Sequence, residues 1–144
     1  MEAFSFDERP LIWKVASSYA RERPWLGYGY GREIIGARIS GELEQAKLGQ
    51  PYNHGHNVVL DAELQMGVPG VIAFILLMAS LVAAFLRARK REGGVPLAIV
   101  GVAMVAGYLT KNLTDDFFFR PSSLVFWAIA GMLLGLAARL PQKR

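Results

Sequence analysis

The sequence predicts an all-α integral membrane protein: three transmembrane helices preceded by a mainly helical segment outside the cytoplasm. The first observation is composition. Hydrophobic residues make up 53% of 144 residues and the mean hydropathy is +0.27, high for a soluble domain. The second is their distribution. The first 65 residues are polar and charged, and most of the rest is long apolar runs, an asymmetry of membrane proteins. The third is that the basic residues gather at the ends of those runs.

The apolar runs are Val68–Leu86, Val95–Thr110 and Ser122–Ala138, and none holds a charge. They give spans of about residues 68–86, 95–113 and 121–138. At ~1.5 Å per residue the first reaches roughly 28 Å, close to the hydrocarbon thickness. Backbone groups in lipid must be bonded internally, so each run is expected to be a helix. Arg87, Arg89, Lys90 and Arg91 follow the first run, and Arg139, Lys143 and Arg144 follow the third. By the positive-inside rule both places are cytoplasmic. The turn between the second and third spans carries Asp115, Asp116 and Arg120 and belongs outside. Residues 1–66 then lie outside as well, and residues 67–144 form the membrane region.

Net charge is +4, but the cations form no single face, so nucleic acid is not an expected partner. With no cysteine, disulfides and Cys-based zinc sites are excluded. Residues 1–10 contain no apolar stretch of the signal-peptide kind. An outer N-terminal segment without one implies a membrane part upstream of it.

In the outer segment, Leu11, Ile12, Val15, Ala16, Tyr19 and Ala20 recur at helical spacing and predict an amphipathic helix from about Pro10 to Glu22. Pro10 suits its first turn and Pro24 stops it. A Gly/aromatic loop follows, Trp25-Leu26-Gly27-Tyr28-Gly29-Tyr30-Gly31. Residues 32–50 read as a polar, partly helical stretch, and Gln50-Pro51-Tyr52-Asn53 as a turn. A helix is expected to begin near Asn57 and run toward Met66. Gly67, Pro69 and Gly70 then interrupt the chain at the water–lipid boundary.

The densest chemical signal is His54-Gly55-His56-Asn57, which holds both histidines of the chain. Imidazole is the side chain best suited to take a proton from a hydroxyl near neutral pH. The plainer alternative is a pair of boundary residues. A metal reading, with His54, His56 and Asp61 or Glu63 as ligands, lacks the i, i+4 spacing of helical zinc sites. Gly27, Gly29 and Gly31 do not match the G-x-G-x-x-G dinucleotide fingerprint. A tight turn is favoured, with its tyrosines at headgroup level or stacked on a sugar. Arg9, Lys14, Arg21, Arg23, Arg32, Arg38 and Lys47 are cations of the outer segment able to hold a diphosphate, although most are expected to be a solvated face. Asp115 and Asp116 are expected to pair with Lys111 or Arg120.

His56-Asn57, nine further residues, then Gly67-Val68-Pro69-Gly70 resembles the H-[N/S/Q]-x9-G-x-x-G signature of the O-antigen ligase and O-antigen polymerase superfamily. Arg9-Pro10-Leu11-Ile12-Trp13-Lys14, followed by Glu22-Arg23-Pro24-Trp25-Leu26-Gly27-Tyr28-Gly29, resembles the opening of that family's large periplasmic loop. Together these stretches cover the outer segment and the first span.

The resemblance implies the C-terminal portion of a GT-C-like enzyme of the bacterial inner membrane. Such an enzyme moves a glycan from undecaprenyl diphosphate to a lipid A-core or polysaccharide acceptor, without a metal or other cofactor. It implies His56 as general base, Arg9 as a diphosphate ligand, and His54 and Asn57 beside the substrate. Full-length members have many more spans, so the chain is expected to be a fragment or one half of a split enzyme, inactive without the N-terminal membrane part. The alternative is a non-catalytic membrane partner or remnant of a polysaccharide assembly system.

Overall fold

The computed structural model describes residues 9–31, 55–114 and 120–143. Four helices account for most of them: α1 (Arg9–Glu22), α2 (Val58–Ala88), α3 (Val95–Asn112) and α4 (Arg120–Arg139). Among the described residues there is no strand, only an isolated bridge between Arg91 and Gln142. Three helices are long and apolar enough to cross a membrane: Val58–Ala88, Val95–Asn112 and Pro121–Arg139. The chain is thus the all-α integral membrane protein that its hydrophobic runs predict. The expected turn at 50–53, the segment 32–50, and Asp115 and Asp116 lie outside the described residues.

The chain divides into two compact units, Met1–Ile72 and Ala73–Arg144. In the first, α1 starts one residue before its expected Pro10 and ends at Glu22, before Pro24. Its apolar stripe is real: Ile12, Ala16 and Ala20 bury at i, i+4 and i+8 against Leu64, and Leu11, Val15, Tyr19, Tyr28 and Leu60 pack around them.

Helix α2 is two helices joined at a break. Gly67 has φ 68° and ψ −167°, a region essentially confined to glycine that costs an L-residue about 1–3 kcal/mol. The break leaves groups that a continuous helix would pair. Leu64 O would accept from Val68 N–H, and Gln65 O faces Pro69, which has no N–H. The Gly/aromatic turn satisfies all three. Tyr28 N–H donates to Leu64 O at 2.7 Å, Gly29 N–H to Gln65 O at 3.1 Å, and Val68 N–H to Pro24 O at 2.7 Å. At the mouth of a membrane span, where unpaired backbone is costly, this pairing is what permits the break.

Past the break, Val68–Ala88 is 21 residues, or about 31 Å of helix, enough for the hydrocarbon core. In the second unit Met78, Leu81, Phe85, Val105, Phe126 and Ala130 form the core. Phe85 is wholly buried and lies where a Cβ on Gly101 would stand. Such small-residue contacts let transmembrane helices approach. Tyr108 stacks on Phe126 at 4.1 Å between ring centroids, and Trp127 meets Phe126 edge-on at 5.1 Å. Polar side chains inside the spans satisfy themselves locally. Ser80 Oγ donates to Leu77 O, Thr110 Oγ1 to Ala106 O, and Asn112 Nδ2 to Tyr108 O, which avoids an unpaired donor in lipid.

Candidate functional site

The first unit holds the residues that sequence reasoning singled out. Asn57 is the N-cap of α2. Its Oδ1 accepts from Val59 N–H at 3.0 Å and Leu60 N–H at 3.2 Å, and its carbonyl accepts the first helical bond, from Asp61 N–H. That satisfies two of the amides a helix start leaves open. The asparagine expected beside the substrate therefore also fixes where α2 begins.

Gly55, just before His56, is buried and held from both sides. Its N–H donates to Asp61 Oδ1 at 2.7 Å, and its carbonyl accepts from Trp13 Nε1 at 2.8 Å. A Cβ at this position would lie 3.0 Å from Asp61 Oδ1, so the carboxylate's approach favours glycine. Asp61 is itself 4% exposed. A buried carboxylate is costly unless hydrogen-bonded, and the first turn of α2 is where the helix dipole favours negative charge.

Between the clamped Gly55 and the capping Asn57, His56 adopts φ 50°. Among the described residues it is the one non-glycine with positive φ. Such a backbone costs of order 1 kcal/mol and persists where surroundings enforce it, often at functional sites. Here the enforcing groups are Trp13, Asp61 and Asn57. His56 is half-buried.

Arg9 opens α1 and is exposed. It lies four residues before Trp13 and so shares that residue's helix face, the face that reaches the His56 turn through the Trp13–Gly55 bond. His54 lies outside the described residues. Asp61 Oδ1 is taken by Gly55 N–H, and among the described residues no group of three His, Cys, Asp or Glu is gathered to hold a metal.

The loop glycines have the structural role favoured for them. Gly27, Gly29 and Gly31 all have positive φ. A Cβ on Gly27 would lie 2.5 Å from Leu64 O, so the turn meets α2 backbone to backbone. Tyr28 packs edge-on to Tyr19 at 5.9 Å, and its hydroxyl donates to Glu22 at 2.7 Å. Arg23 sits 5.1 Å over its ring. Tyr30 is exposed, as are Trp25 and Leu26.

Sequence reasoning missed three contributors. Trp13 was seen only as part of a motif, Asp61 only as a metal ligand, and Gln65 not at all. Gln65 Oε1 accepts from Gly31 N–H at 3.2 Å. Each acts across 6 to 42 residues of chain, which periodicity does not report.

No curated protein matches the chain. The O-antigen ligase family model matches residues 1–75, just over half of the sequence. The match spans the α1 helix, the Gly/aromatic turn, the His56 turn, the Gly67 break and the start of the first span, the parts joined above by backbone hydrogen bonds. The protein is thus a multi-pass membrane chain whose ligase- or glycosyltransferase-like character is that of its family, and it belongs to the O-antigen ligase family.

Proposed function

We propose that the chain forms the acceptor-activating part of a membrane glycosyltransferase, with His56 as the general base. The donor is a glycan on undecaprenyl diphosphate, and the acceptor is a hydroxyl of lipid A-core or of a growing polysaccharide. The observation that carries the reading is the left-handed backbone of His56, fixed by Trp13, Asp61 and Asn57 within the family-matched region.

The chemistry is a single displacement. The unprotonated ring nitrogen of His56 takes the proton of the acceptor hydroxyl as its oxygen bonds to the anomeric carbon. The bond from that carbon to the diphosphate oxygen breaks, and undecaprenyl diphosphate leaves. Arg9, on the α1 face shared with Trp13, offsets charge that grows on the leaving diphosphate. His54 and Asn57 lie beside the substrate, with Asn57 also holding the turn. No step requires a metal. Residues 1–66 lie in the periplasm, residues 67–144 cross the inner membrane, and the C-terminus is cytoplasmic. Any membrane helices supplied by an N-terminal part would complete the groove for the lipid donor.

A general base supplies ~100- to 10,000-fold in rate. His56→Ala in transfer-competent membranes is expected to lower glycan transfer by that order while the protein accumulates normally. Transfer at the parent rate would remove His56 from the reaction. His54→Ala is expected to be milder, and equal losses at both positions reversed by metal addition would replace the base mechanism with a metal one.

A further inference from the structure

Two basic segments far apart in sequence, 87–91 and 139–143, form one surface at one end of the second unit. Glu92 N–H donates to Pro141 O at 2.9 Å, and Lys143 N–H to Lys90 O at 3.3 Å. Arg91 Nη1 donates to Ala138 O at 2.9 Å and to Leu140 O at 2.8 Å. The last carbonyls of a helix have no amide of their own. Arg91 supplies donors there and pins the tail to the α2–α3 loop, so its charge serves the fold.

Arg87, Arg89, Lys90, Arg139 and Lys143 are all exposed. Neither segment holds an acidic residue, and Glu92 follows the first. The dipoles of α2 and α4 account for Arg87 and Arg139, which occupy their last turns. They do not account for Lys90 and Lys143. Arg91 pairs with Gln142 in an antiparallel bridge, and that register sets Lys90 directly opposite Lys143. Like charges so opposed are destabilising, yet the fold draws them together.

We infer that this surface binds the phosphates of anionic phospholipid headgroups, which lie between the loop and the tail and neutralise the opposed lysines. The ligand is lipid rather than a soluble anion because the cations cap α2 and α4. Both helices are of membrane-crossing length and composition, and headgroup phosphate is the anion held at that level. Clusters of four to eight Lys or Arg at the end of a span have this affinity. The inference is independent of the transferase reading and of which leaflet the surface faces.

Native mass spectrometry of the full chain, released from micelles of equal phosphatidylglycerol and phosphatidylcholine, tests it. Retained lipid is expected to be mainly phosphatidylglycerol, and the preference is expected to vanish at high salt. Each cation near the surface contributes roughly fivefold, so the Arg89→Gln, Lys90→Gln, Lys143→Gln triple variant is expected to lose at least tenfold of the preference. Arg91→Gln, by releasing the tail, is expected to lose part of it although Arg91 touches no lipid. Equal retention of the two lipids by the parent protein overturns the proposal, as does an undiminished preference in a triple variant of unchanged helical content. Displacement of the lipid by inorganic phosphate at an ionic strength at which sodium chloride leaves it bound would overturn the lipid assignment in favour of a soluble anion.

Discussion

The two units of the chain are held by different physics. In Met1–Ile72, hydrogen bonds tie two loops to the two helices: four between the 24–31 turn and the break in α2, and five more around Gly55 and Asn57. In Ala73–Arg144, the spans are held by aromatic and small side chains around Phe85, Phe126 and Gly101. Backbone hydrogen bonds have narrow geometry and fix a position, whereas dispersion is tolerant of small shifts. The unit with the family match is the one whose geometry is fixed by direction. That is where a group that must meet a reacting atom belongs.

Gly67→Ala strikes the first kind of bonding and is expected to have the largest effect. Its Cβ would sit 2.5 Å from the carbonyl carbon of Trp25, in a backbone conformation unfavourable to alanine. Backbone on both sides prevents relief, so the turn must lift and its hydrogen bonds weaken, at a total of about 3–5 kcal/mol. Hydrogen exchange is expected to show lost protection at Tyr28, Gly29 and Val68, with amides around Phe85 unchanged. Uniform loss through both units would erase the distinction between them.

This junction also shows how far the sequence carries. The interruption at Gly67 was legible because Gly-x-Pro-Gly cannot continue a helix at low cost, and the helix after Asn57 was legible from a capping residue before an apolar run. The three spans followed from uncharged runs of the right length. What occupies the break was not legible. That the carbonyls of Leu64 and Gln65 find Tyr28 and Gly29 is a pairing of two loops about forty residues apart, and neither loop's composition names its partner. The same holds for Asp61: the sequence offers it only as an alternative metal ligand, and only the fold shows it holding the peptide before His56.

Phe85→Ala tests the second kind of bonding. Removal of a buried aromatic ring costs about 3–5 kcal/mol in soluble cores. In lipid, where the ring loses packing rather than gaining water, about 2–3 kcal/mol is expected. Thermal unfolding in detergent is expected to fall while the exchange protection of Tyr28 and Gly29 persists. A loss at those loop amides equal to that of Gly67→Ala would mean that the spans, and not the backbone bonds, hold the loops.

Trp13→Phe is the smallest change and the sharpest. It keeps an aromatic ring on α1 and removes one donor, the Nε1 bond to Gly55 O at 2.8 Å. The bond is only part-buried, so water replaces the donor and stability is expected to fall by about 1 kcal/mol or less. If the first unit serves to aim His56, catalysis suffers more than stability does. The peptide before His56 gains freedom, and small misplacements of a catalytic group can cost ~100-fold. Transfer assays are expected to show a fall in kcat of about tenfold or more with KM little changed, since the substrate contacts remain. A fall in rate no larger than the stability loss predicts would leave Trp13 as one more packing residue. The directional bonding of the first unit would then be a matter of folding alone.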